Sequence, residues 1–90
     1  MPAYIVSYDL RKVRNYEPLW DQLRQWGMVR VLESTWVGEL RGPTATIRDL
    51  LRAKIDGDDG IVVIELKPNF DWAAFKAQTA GTAFLKRISP

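Results

Sequence analysis

Residues 28–40 read "MVRVLESTWVGEL", and the number of strands they hold decides the fold. The run is long against a usual strand of about five or six residues, and the polar pair Glu33–Ser34 sits at its middle. It reads as two strands, roughly 28–32 and 35–40, joined by a tight reversal or a bulge; one bent strand is the alternative. Working outward, each side carries one helical pattern and one short apolar run. Upstream, "AYIVSYD" (3–9) is β-branched and aromatic, a strand. Tyr16, Leu19, Trp20, Leu23 and Trp26 then recur at helical spacing, with Asn15 able to cap, Pro18 in the first turn and Gly27 as the stop. Downstream, "TATIRDLLRAKI" (44–55) is a second amphipathic helix with Ile47, Leu50, Leu51 and Ile55 on one side and a cap at Thr44 or Thr46. "DGDDG" (56–60) is a turn, and "IVVIELK" (61–67) a fourth strand ended by Pro68. In the tail, Asp71 is placed to cap a short helix carrying Trp72 and Phe75, which Gly81 interrupts.

The order strand, helix, strand, strand, helix, strand, with a short C-terminal helical tail, predicts an α+β fold. With right-handed crossovers it becomes a ferredoxin-like βαββαβ sandwich, a four-stranded antiparallel sheet in the order 4-1-3-2 with two helices on one face. The other face is expected to be bare. Residues 1–90 form one domain, with a core over about 3–67 and the tail over about 68–90.

Composition narrows the chemistry. There is no cysteine and no histidine, which removes thiol catalysis, disulfides, zinc–thiolate sites and any imidazole base or ligand. Carboxylates, Lys, Arg, Ser, Thr and Tyr are what remains. The net charge is only +2, with both signs spread over the chain, so no basic tail advertises nucleic acid. No apolar run approaches the roughly 20 residues that span a bilayer, and no signal peptide precedes the first strand. A cytoplasmic protein that does not enter membranes is expected.

Alternation along strands assigns the faces. Tyr4, Val6 and Tyr8 share one face; so do Trp36, Gly38 and Leu40, and Val62, Ile64 and Leu66. These nearly all-apolar sets are expected under the helices. The mixed sets, Ile5, Ser7 and Asp9, Thr35, Val37 and Glu39, and Ile61, Val63 and Glu65, are expected on the bare face. Its apolar members call for a homodimer partner. With the first and third strands taken as parallel neighbours, Asp9 and Glu39 fall at one end of the sheet and Glu65 at the other. Two carboxylates doubled by a two-fold axis suit a hard cation such as Mg²⁺ or Mn²⁺; solvated or turn-bound carboxylates are the plainer reading. Arg11, Lys12 and Arg14, with Arg41 just past Glu39, are either a solvated basic loop or contacts to a phosphate backbone of RNA or DNA. A sheet-face RNA binder is disfavoured, because Ile5, Ser7 and Val37 offer no aromatic platform.

On "YIVSYDL", the helix closed by Gly27 and "LESTWVGEL", the chain resembles the CRISPR-associated protein two family, the small partner of the spacer-integration machinery. It is most similar to the stand-alone SinR-like relatives, in which a "YDL" strand end and an "STW" segment are the usual marks. The resemblance runs from about residue 3 to 67. It implies a ferredoxin-like homodimer in which the aspartate ending the first strand, here Asp9, meets its copy across the interface. It further implies either a metal-dependent endoribonuclease or DNase using that aspartate, or a scaffold for which it is dispensable, with an integrase-type protein as partner. Where the family places a Gln and a Ser before an aromatic, this chain keeps Ser34, has Glu33 or Leu32 for the Gln, and has Trp36 for the usual Phe. The basic residues after the aspartate are kept in kind as Arg11, Lys12 and Arg14.

Overall fold

In the computed structural model, which describes residues 1–12 and 15–89, Glu33 and Ser34 form a turn and the 28–40 stretch is two strands. They are β2 (Val29–Leu32) and β3 (Thr35–Glu39), paired antiparallel with a register shift between Arg30 and Leu32. Before them come β1 (Ala3–Asp9) and α1 (Glu17–Gln25); after them come α2 (Thr44–Arg52), β4 (Gly60–Leu66) and α3 (Thr79–Ile88). The sheet order is β2-β3-β1-β4 and every pairing is antiparallel. The molecule is thus an α+β domain on a four-stranded antiparallel sheet, an arrangement compatible with a ferredoxin-like fold. Among the described residues no helix is long and apolar enough to cross a membrane.

The first helix ends for a local reason. Gly27 has φ +79°, which a side chain would resist. Its N–H donates to the Arg24 carbonyl at 2.9 Å, and the Met28 N–H donates to that of Leu23 at 3.0 Å. This pair of bonds satisfies the last carbonyls and drops Met28 onto Leu23 in the core. At the other end, Asn15 accepts the Glu17 N–H at 3.0 Å. The expected threonine cap on α2 is absent; Pro43 stands at that position and no side chain bonds the helix start.

One face of the sheet carries Tyr4, Val6, Tyr8, Trp36 and Leu40 against Leu19, Leu23, Ile47 and Leu51, as alternation on β1 and β3 predicts. On β4 the faces are reversed from expectation. Val63 lies opposite Val6 and Ile61 opposite Tyr8, so these two join the helix-side core. Val62 and Ile64 instead face away from it and are 48% and 51% exposed. Leu50 also lies outside the core, which takes Ile47 and Leu51 from α2.

The second face is not bare. Gly81 does not break the tail; it lies within α3, which packs against β2 and β3. Phe84 and Leu85 there close over Ala3, Val31 and Val37. The Gln78 N–H donates to the Val31 carbonyl at 2.8 Å, and Trp72 and Ser89 tie segment 70–78 to the end of the helix through Ser89 and Phe70 carbonyls. What stays open on this side is the β4 half of the sheet.

Candidate functional site

The end of β1 gathers the residues that the sequence singles out. Asp9 closes the strand opposite Gly60, and its side chain is 72% exposed. Chain reversal after it folds Arg11 back, so that Nε and Nη2 both reach Asp9 Oδ2 at 3.2 Å. Oδ1 is left with no bond to any described residue. The same guanidinium donates through Nη1 to the Asp58 carbonyl at 2.7 Å, and the Arg11 backbone N–H donates to Asp59 Oδ1 at 2.7 Å. Lys12 Nζ stands 2.9 Å from Asp58 Oδ2. The "DGDDG" turn is itself held by its acids, with Asp59 accepting the Asp56 N–H and Asp56 that of Asp58. Two cations, Arg11 and Lys12, therefore sit against three carboxylates, Asp9, Asp58 and Asp59. In the described part of the loop both cations are thus paired, and carboxylates outnumber them. Arg14 lies outside the described residues.

Glu39 and Arg41 are elsewhere. Because α1 returns the chain to its starting end, β2 runs the same way as β1, and the turn at 33–34 then makes β3 antiparallel to both. Glu39 pairs with Ala3, a full strand length from Asp9. The expectation of parallel first and third strands, and with it the shared Asp9–Glu39 cation site, is corrected by this register. Glu39 instead lies near the N-terminal ammonium at 3.9 Å and Arg87 at 3.7 Å. With Arg41 it lines a cleft of about 330 Å³ beside Trp26, Leu40 and Leu50. Glu65 pairs with Tyr4, away from Asp9 as expected, but on the helix-side face.

No group of three or more His, Cys, Asp or Glu able to hold a metal occurs among the described residues, and the Asp9 carboxylate already carries a guanidinium. A charge that no motif in the sequence singles out, Arg30, lies against aromatic rings. Arg30 on β2 lies opposite Trp36, with its guanidinium 4.8 Å from the Trp36 ring centre and 5.4 Å from that of Trp20. Both indole N–H groups donate to Tyr8 Oη, at 2.9 and 3.0 Å. The signal available in the sequence is one charged residue inside "VRVL"; which rings it meets depends on register and helix docking. Compared with models of known protein families, the chain has no match.

Proposed function

We propose that the protein is a nucleic-acid-associated homodimer of the CRISPR-associated protein two type, whose work is binding and assembly rather than bond cleavage. The observation that carries this reading is the state of Asp9. It stands exposed at the end of a central strand, where the resembling family places its interface aspartate, yet Arg11 engages it, and among the described residues no group able to hold a metal adjoins it. Support for a second copy comes from β4. This strand pairs with β1 along all seven residues, ends the sheet on its other side and leaves Val62 and Ile64 half-exposed. A seven-residue edge strand with exposed apolar side chains invites pairing with another chain. An integrase-type protein is the further partner that the resemblance implies.

Metal-dependent cutting of RNA or DNA is the second reading, favoured by the exposure of Asp9 and by Oδ1 having no bond to a described residue. Asp9→Asn separates the two. Under the binding reading, the variant keeps its dimer mass and its oligonucleotide affinity, and its unfolding free energy changes by only about 0–1 kcal/mol, because the Asp9–Arg11 pair is a surface one. Cleavage by the wild type with Mg²⁺ or Mn²⁺, lost in Asp9→Asn, would replace the binding reading with the nuclease one.

A further inference from the structure

Arg30 differs from the paired surface cations. Arg24, Arg48, Arg87, Lys12 and Lys67 each have a carboxylate within 4.0 Å, and so does Arg11. The Arg30 side chain has neither an ion pair nor a hydrogen bond to any described residue, and its Nε is buried without an acceptor. A guanidinium cannot relieve this by losing its proton. Buried donors are nearly always satisfied, so an orphaned one requires a reason.

The surroundings supply one. The guanidinium carbon lies over the rings of Trp20 and Trp36, an attraction to the ring quadrupoles that needs no hydrogen-bond acceptor. The rings in turn are fixed. Tyr8 Oη accepts both indole N–H bonds and donates to the Glu33 carbonyl at 3.3 Å, so all three hydrogen-bonding directions of that hydroxyl are used. Neither indole can swing away without losing a bond. Arg30 itself is only partly buried, and its two Nη groups are not among the sealed atoms. The result is a planar fork held over two fixed indoles, with its Nη donors unclaimed by any described residue. Planar forks of this kind match two oxygens of a phosphoryl group.

We propose that Arg30, clamped by Trp20 and Trp36 at the edge of β2, is an oxyanion site that takes a phosphoryl group. The site includes neither Asp9 nor the charged residues of its loop. Its ligand is either a free phosphate group or the phosphodiester of a nucleic acid, since both present the same pair of oxygens.

Tryptophan emission of the full chain reads the site directly, because two of the four indoles contact the guanidinium. Inorganic phosphate forms one titration; the other uses a single-stranded oligonucleotide lacking terminal phosphates. A saturable change with phosphate assigns the free group, and one with the oligonucleotide assigns the diester; either supports the site. In Arg30→Met, which keeps length and ring contact but no charge, the response should vanish while the urea midpoint stays level or rises. Arg30→Lys keeps the charge without the fork and should bind about tenfold more weakly; this arm stands even if the Met variant does not fold. A wild type that responds to neither ligand overturns the proposal, as does a response equally strong in Arg30→Lys.

Discussion

Trp36→Ala should lower the unfolding free energy by about 3–5 kcal/mol, the range for truncating a large buried aromatic. The ring is 3% exposed and sits between the sheet and the helix layer with Leu19, Leu23 and Leu51. Its loss also removes one of the two donors on Tyr8 Oη and one of the two faces that hold Arg30. A domain of this length has a total stability of about 5–13 kcal/mol, so the variant is expected to be marginal. Trp36→Phe keeps most of the ring volume and gives up the N–H, and should cost less. Urea unfolding with an unchanged slope measures both. An Ala variant with the wild-type midpoint would mean that Trp36 does not face the helices.

Gly81→Ala runs against intuition, because alanine is favoured over glycine inside a helix by about 1 kcal/mol. Here the opposite sign is expected. A Cβ at this position would lie 2.5 Å from the Arg30 carbonyl oxygen, 2.5 Å from Val31 Cα and 2.7 Å from Val31 Cγ2. Two of those three atoms are backbone, in a strand that is already hydrogen-bonded to β3, so nothing flexible can give way. Overpacking of this kind costs about 1–3 kcal/mol and occasionally more, which exceeds the propensity gain if α3 stays docked. If the helix lifts off β2 instead, the cover that Phe84 and Leu85 provide for Val31 and Val37 is lost. Either outcome lowers the urea midpoint, and detachment also raises hydrogen exchange across α3. A stabilised Gly81→Ala would show that α3 does not dock this closely on β2.

These two residues show which parts of the fold were legible. Trp36 was assigned correctly because β3 has one plainly apolar face, and the Glu33–Ser34 pair marked the reversal before it. The same logic failed on β4. Both faces of "IVVIEL" are apolar, and the single acid, Glu65, lies near the strand end, so only pairing with β1 chooses between them. Gly81 looked like a helix breaker because flexibility is the property of glycine that a sequence displays. Its role here is to lack a side chain at a contact some fifty residues away in the chain, which no local pattern reveals. The Asp9 loop is legible as a cluster of charge but not as a paired one, since Asp58, which takes Lys12 and a second bond from Arg11, comes from the 56–60 turn. Strand direction, not composition, separated Asp9 from Glu39. Arg30 went unnoticed because its two indoles come from α1 and β3, and Tyr8, which fixes them, from β1.

The proposed function joins two properties, a homodimer and its association with nucleic acid. Sedimentation velocity of the full chain at tens of micromolar, about the concentration at which a standard-sized specific interface holds, tests both parts when a fluorescently labelled oligonucleotide is present at low salt. The expected result is a boundary at twice the chain mass in protein alone. The label should move with that dimer, and should be released as salt rises. A boundary at the mass of a single chain, with the label sedimenting as free oligonucleotide, would contradict the account.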